Sequence, residues 1–381
     1  MKSVLVTFDY PPIVGGIANA LATFVGMARP TGCVILAPQA PGAAEFDADF
    51  PVPTIRFPNW TRLGFAGKAL SFMAAVARTG LTLVRIRPDL FVAAQLVRAG
   101  PMALAWHLLS GRPYDVWVYG GETSPQFTSM RWLTRLLHVV LRRARTVFTN
   151  SQYTTQEMLA FGLREDAVVE LPLGVDRSVF FPQEKSSALL EQFALADKIV
   201  FTTIGRLVER KGVDTMLRAL GELRDEMPPW HYLIVSDGPY RQRLEEIARE
   251  LDLMPHVTFT GYVDQQELVA YFNLCDVFTM PNRQVGHKTE SSLSVEGFGM
   301  VFLEAAACAK PVIAGRSGGA VYALEDGYNG FSVDPENMEE LKRAIRELMD
   351  TDRRRAMGVA GIDFASRFHW GKSAEILRLY I

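Results

Sequence analysis

The feature that most limits how this chain can fold is a rhythm that runs once and then starts again. In the first half, short apolar runs at 4–8, 33–37, 54–57, 90–94, 116–119, 146–149 and 168–171 read as strands. Helical stretches lie between most of them, near 17–28, 67–85, 102–109, 131–141 and 154–161. Apolar runs separated by helices predict parallel strands covered on both faces. A turn and linker at Leu173-Gly174-Val175-Asp176, with Pro182 beyond, interrupts the pattern, which resumes at 199–204, 232–235, 257–260, 277–280, 312–314 and 330–333. The predicted fold class is therefore α/β, with two Rossmann-like, doubly wound parallel-sheet domains facing each other and a ligand in the cleft at the strands' carboxyl ends. A chain of 381 residues is too long for one ordinary core and suits two.

Cys33, Cys275 and Cys308 stand far apart without a C-x-x-C spacing. That argues against a disulfide framework or a zinc site and makes a reducing compartment the expectation. The chain opens on a strand that ends in prolines, so no secretory leader is expected. No uninterrupted apolar stretch reaches the ~18 residues of a spanning helix.

The net charge of −2 conceals an asymmetry, because residues 1–175 carry +5 and the remainder −7. From 50 to 88 every charge is basic (Arg56, Arg62, Lys68, Arg78, Arg85, Arg87), and from 123 to 156 the same holds for Arg131, Arg135, Arg142, Arg143 and Arg145. Interleaved with Trp60, Phe65, Phe72 and Trp132, these stretches suit an anionic membrane surface or a phosphate-bearing lipid; an ordinary solvated helix face is the competing reading. The spread of the bases and the acidic overall balance argue against nucleic acid. The expected location is cytoplasmic, refined to peripheral attachment at the inner face of a membrane.

The chemistry concentrates between Asn282 and Gly319. A strand leads into a polar loop, then Glu296, Gly297, Phe298 and Gly299, then a helix carrying Met300, Val301 and Glu304, then a second strand ending in Ser317-Gly318-Gly319. Glu296 falls at the loop mouth and Glu304 about two turns into the helix, so both carboxylates can reach hydroxyls of a ligand lying over the helix start, whose free N–H groups attract phosphate. On spacing alone, Glu296 reads equally as a capping carboxylate and Glu304 as a solvated position. After the first strand, Gly15-Gly16 precedes a helix and lets the backbone approach a phosphate, although a tight turn accounts for it as well. This is not G-x-G-x-x-G, so a dinucleotide cofactor is poorly supported. Gly205-Arg206 and Lys211-Gly212 lie between a strand and a helix, where two cations can clamp a diphosphate. Ser236-Asp237-Gly238-Pro239 is a similar loop that turn chemistry alone explains. Asp47-Ala48-Asp49 matches a metal-binding Asp-x-Asp but sits in a polar segment, not at the end of an apolar strand.

Taken together, Gly15-Gly16, G-R-L-V-E-R-K-G at 205–212, S-D-G-P at 236–239, E-G-F-G-M-V-F-L-E at 296–304 and the following P-V-I-A-G and S-G-G resemble the retaining family-four glycosyltransferases of the GT-B fold. The resemblance spans nearly the whole chain and is strongest to bacterial phosphatidylinositol-mannoside mannosyltransferases, which use GDP-mannose. It implies that Arg206 and Lys211 hold the donor diphosphate, with Gly205 beside them, and that Gly16 reaches it with its amide. Glu296 binds donor-sugar hydroxyls, Glu304 the ribose, and backbone at Tyr262-Val263 the base. It implies attack from the face the nucleotide leaves, with a donor phosphate oxygen taking the proton, and neither a cofactor nor a metal. The donor is a nucleotide sugar and the acceptor lipid-linked or glycan. A final helix returning to the first domain sets the domains at 1–175 plus 366–381 (acceptor) and 176–365 (nucleotide sugar).

One departure stands out. Where relatives carry H-G-H-E, this chain has Tyr119-Gly120-Gly121-Glu122, so a donor-contacting histidine is missing and Tyr119 and Glu122 are the candidates for its place. That opens UDP-sugars as an alternative to GDP-mannose, beside a sugar-nucleotide epimerase. The six histidines, His107, His138, His231, His256, His287 and His369, read as surface or core residues.

Overall fold

The computed structural model describes residues 1–13, 15–120, 122, 130–264, 266–286 and 295–381. The chain forms two compact units, Met1–Leu173 with Trp370–Ile381, and Gly174–His369.

The first unit carries a seven-stranded sheet, β1 (Ser3–Val6), β2 (Cys33–Pro38), β3 (Thr54–Phe57), β4 (Leu90–Ala93), β5 (Tyr114–Val118), β6 (Thr146–Thr149) and β7 (Val168–Glu170), in the order β3-β2-β1-β4-β5-β6-β7. Every pairing is parallel. The helices between strands are α1 (Gly16–Ala28), α2 (Ala43–Asp49), α3 (Gly64–Ile86), α4 (Leu96–Ser110), α5 (Arg131–Arg143) and α6 (Gln152–Ala160). Strands β1, β4, β5 and β6 are buried at every position, as expected when helices cover both faces.

The second unit repeats the plan with six parallel strands, β8 (Ile199–Ile204), β9 (Trp230–Val235), β10 (Val257–Gly261), β11 (Val277–Met280), β12 (Val312–Gly315) and β13 (Gly330–Val333), ordered β10-β9-β8-β11-β12-β13. Its helices are α7 (Ser187–Gln192), α8 (Val213–Leu223), α9 (Arg241–Glu250), α10 (Leu268–Leu274), α11 (Met300–Ala307), α12 (Met338–Glu347) and α13 (Thr351–Ser366); α14 (Trp370–Arg378) belongs to the first unit. The order reverses between β8 and β11, so the loops after these two strands flank a switch point, where doubly wound sheets bind ligands. Residues 205–212 and 282–286, at the start of the two chemistry-bearing segments, lie in those loops.

The units divide at 173/174 and 369/370, whereas the sequence placed the divisions at 175/176 and 365/366. The second division shifts because α13 runs unbroken through Ser366.

Candidate active site

β8 ends at Ile204, and Gly205, at φ 146°, turns the chain out of the sheet. That backbone conformation is one that residues with a side chain rarely adopt, and the Lys211 side chain lies beside it. A single 3₁₀ turn, Glu209–Lys211, closes on Gly212, whose left-handed backbone starts α8 and whose missing Cβ admits the Pro281 carbonyl. The turn is anchored from beneath: the Arg283 amide donates to the Arg210 carbonyl at 2.8 Å, while the Arg283 guanidinium forks onto Asp214 with two 2.9 Å bonds. The 236–239 loop braces the same region, since Gly238 lies against Leu207 backbone that a Cβ would strike at 2.3 Å.

Asn282 staples the other loop. Buried after β11, it accepts from the Gly315 amide and donates to the Ser317 carbonyl, both at 3.1 Å. Gly318 and Gly319 then pass beneath Glu296 and Gly297, and the Gly319 amide donates to the Glu296 carbonyl at 2.8 Å. Gly299 adopts the left-handed conformation (φ 86°) that opens α11, with Phe298 buried behind it.

These loops bring Glu296 to Lys211. Lys211 Nζ lies 2.7 Å and Arg210 Nη1 2.5 Å from the same oxygen, Glu296 Oε2. Burial alone would raise this carboxyl; Lys211 and Arg210 outweigh it and hold Glu296 at about 2. Burial works against the Lys211 ammonium, and Glu296 opposes that loss. Glu296 is thus an ionised carboxylate, and the N-cap of α11 is Gly299, with no side-chain cap among the described residues. Arg206 is exposed and makes no side-chain bond among the described residues. The 3₁₀ turn points Arg210, a residue the sequence did not single out, at Glu296 beside Lys211. Since α11 begins at Met300, Glu304 sits one turn in, not two. Burial raises its carboxyl to about 7. Tyr262 is exposed and Val263 half-buried just past β10.

In the first unit Gly15 and Gly16 open α1, whose first turn carries no acid and whose cap has open space beside it. Tyr119 is buried past β5 with an unpartnered hydroxyl among the described residues. Its amide donates to Glu122 Oε1 at 3.0 Å, and Glu122 Oε2 has no partner among the described residues. Burial raises the Glu122 carboxyl to about 7. Gly121 and His287 lie outside the described residues. Asp9 accepts from Gln95 Nε2 at the β1–β4 switch point, a polar pair the sequence did not single out.

One expectation is corrected. Arg56 is not a surface cation, since it forks onto Asp47 at 2.6 and 2.9 Å, whereas Arg145 stays exposed while it forks onto the buried Asp115. The first of these pairs also occupies the Asp47 carboxylate of the Asp-x-Asp triplet. His231, bonded to Thr258 at 2.8 Å and lowered to about 4 by burial, is a core residue.

Residues 188–363 match the family model of glycosyl transferases group 1, and residues 15–174 that of a glycosyl transferase 4-like domain. The chain is 35% identical, over 98% of its length and 97% of the relative's, to a GDP-mannose-dependent alpha-(1-6)-phosphatidylinositol monomannoside mannosyltransferase of Mycolicibacterium smegmatis. The chain belongs to the glycosyltransferase group 1 family. The glycosyltransferase is 33% identical to the enzyme of the same description from Mycobacterium tuberculosis, over 99% of this chain and 98% of that one. Its fold is GT-B, shared with HepE from Anabaena in complex with UDP and glucose (TM-score 0.81, 22% identity, 99% and 98% of the chains) and with sucrose-phosphate synthase from Thermosynechococcus elongatus (0.81, 20%, 100% and 98%).

Two residues of the glycosyltransferase's site escaped the sequence. Arg210 adjoins Lys211, and nothing in an Arg-Lys pair says which cation faces inward. Asn282 opens a polar loop where an asparagine is ordinarily read as turn chemistry.

Proposed function

We propose that the glycosyltransferase transfers mannose from GDP-mannose to a lipid-linked acceptor of the phosphatidylinositol class, with retention of configuration and without a metal, at the inner face of a membrane. What carries this reading is an ionised Glu296 fixed between two cations in a chain that matches GDP-mannose-dependent enzymes along nearly its full length. Arg206 and Lys211 meet the donor diphosphate, Glu296 the sugar hydroxyls through Oε1, which has no partner among the described residues, and Glu304 the ribose diol. Amides at Gly297–Val301 line the donor, and the Gly15-Gly16 helix start suits an anionic group. The acceptor oxygen attacks the anomeric carbon on the side the diphosphate leaves. As the new C–O bond forms, the anomeric C–O bond to phosphate breaks, and the proton passes to the departing phosphate oxygen. Negative charge gathers on the diphosphate, where fixed cations stabilise it most.

Tyr119, standing where the resemblance places a histidine, favours a second reading in which the donor is a UDP-hexose. Thermal-shift and calorimetric titration with GDP- and UDP-sugars separates the two, since a ligand that binds the folded state raises its stability. GDP-mannose should stabilise most. A larger response to a UDP-hexose would move the donor assignment, and no response to any nucleotide sugar would remove the reaction class. Transfer should survive EDTA, and turnover without acceptor would indicate an epimerase.

A further inference from the structure

One side chain ties together the two loops that flank the β8–β11 switch point, and the proposed reaction gives it no part. Arg283 follows the end of β11 closely, and its backbone is fixed from three sides. Pro281 lies against Gly212, where a Cβ would meet the Pro281 carbonyl oxygen at 2.0 Å. Asn282 is stapled to Gly315 and Ser317, and the Arg283 amide donates to the Arg210 carbonyl. The Arg283 side chain itself is 17% exposed.

Its guanidinium reaches partners 69 and 74 residues back in the chain. Nη1 and Nη2 each donate to one oxygen of Asp214 at 2.9 Å; Nη1 also donates to Thr215 Oγ1 at 2.9 Å, and Nη2 to Glu209 Oε1 at 3.4 Å. Asp214 and Thr215 stand in the first turn of α8, and Glu209 opens the 3₁₀ turn. One fork therefore grips both ends of the segment that carries Arg210 and Lys211. A planar guanidinium matches a carboxylate at two points, which an ammonium cannot do. By contrast, Arg241 with Glu245 joins neighbouring turns of α9 alone, the kind of pair that contributes little.

Charge is sorted by the same contacts. Residues 209–214 are neutral as a set, because Glu209 and Asp214 cancel Arg210 and Lys211. In the fold the two acids turn to Arg283, while the two bases turn to Glu296. Acids that adjoin the bases in sequence are thus drawn off to one side of the turn, and the cations are left on the other. A diphosphate meeting Lys211 then finds a positive charge that its neighbours do not offset.

We infer, on the proposed reading of Lys211 as a diphosphate ligand, that Arg283 is a positioning residue: it clamps the 3₁₀ turn to α8 and draws Glu209 and Asp214 away from the cations, so that Lys211 is presented to the diphosphate. Calorimetry on the full chain, with GDP against GMP and UDP against UMP, tests this. The wild type should prefer the diphosphate of one pair. Arg283→Gln should cut that preference about tenfold, the scale of a hydrogen bond to a charged group, and leave the monophosphate affinity within about twofold. Partial unfolding would instead weaken both nucleotides alike. Arg283→Gln strands Asp214, whose side chain is 14% exposed. The double variant Arg283→Gln, Asp214→Asn removes both charges, and its loss should equal that of Arg283→Gln, since both changes open one clamp. Arg283→Lys keeps the charge without the fork and should fall between wild type and Arg283→Gln. Without nucleotide, exchange at the Lys211 and Gly212 amides should quicken at least about tenfold in Arg283→Gln while β9 keeps its protection. An unchanged diphosphate preference in Arg283→Gln and the double variant, or unchanged exchange in the turn, would overturn the role of Arg283 and leave the site assignment standing. A wild type that prefers neither diphosphate would remove the diphosphate site itself, and the role of Arg283 with it.

Discussion

Glu296 offers one oxygen to two cations, and the two differ in what they can give up. Arg210 is tied down through its carbonyl, whereas Lys211 ends the turn with its side chain beside Gly205. When a diphosphate arrives, Lys211 can turn to it while Arg210 keeps Glu296 in place. Accordingly, Lys211→Ala should weaken GDP binding at least about tenfold, the scale of a hydrogen bond to a charged group. Arg210→Gln should leave GDP affinity within about twofold, lower kcat by roughly ten- to a hundredfold, and move the acid limb of the rate profile upward as Glu296 loses a stabilising charge. Arg210→Lys should restore part of that loss. Calorimetry beside a pH–rate profile checks all three. Glu304 gives a pH dependence of its own. Its carboxyl titrates at about 7 when folded against 4.5 ordinarily, so its burial costs nothing below 4.5 and destabilises increasingly until about 7. Glu304→Gln should therefore gain roughly 2 to 3 kcal/mol at pH 8 and nothing at pH 4, read from denaturant midpoints at both pH values. The nearness of Glu296 and Lys211 was legible because both lie in loops that follow the strands flanking the β8–β11 switch point. Which cation faces Glu296 was not, since that depends on a 3₁₀ turn and a left-handed Gly212.

The strands were the most readable elements because parallel strands buried on both faces are nearly unbroken apolar runs; β3, β6, β8, β11 and β13 begin and end where the sequence places them. Among the elements without a predicted counterpart, α2 and α7 are short and carry no periodic apolar stripe. Helix α13 runs through Gly358 and Gly361, residues that ordinarily punctuate a helix. Both instead let α13 press on α11: a Cβ at Gly358 would lie 2.3 Å from the Ala309 carbonyl oxygen, and one at Gly361 3.1 Å from that of Ala306. The same close packing governs the site loop. A Cβ at Gly319 would lie 1.9 Å from the Gly297 carbonyl oxygen, so Gly319→Ala must lift the segment that carries Glu296. Transfer should fall by about a hundredfold, the scale of a 1 Å misplacement, while GDP still binds. Kinetics paired with calorimetry checks this, and wild-type transfer would show that the loop tolerates the displacement.

At the scale of the whole chain, each unit has its own sheet and core, and the charge is split the same way, the first half basic and the second acidic. The last residues do not complete the unit that precedes them. Trp370 packs edge-on to Phe24 at 5.1 Å, Tyr380 packs on Phe148 at 5.3 Å, and Arg378 donates to the carbonyls of Met27 and Ala28 at 2.7 and 3.1 Å. The Arg145 guanidinium, already forked onto Asp115, also donates to the Tyr380 carbonyl at 2.8 Å. The first unit is thus finished by a segment synthesised after the second. Removing residues 370–381 should strip the cover from Phe24 and Phe148 and cost on the order of 3–5 kcal/mol, the scale of deleting one large buried aromatic side chain. That loss belongs to the first unit alone, because none of the four contacts reaches the second. Hydrogen exchange should show α1 and β6 losing protection while β8 and β11 keep theirs. Uniform loss across both sheets would mean that the two units unfold as one.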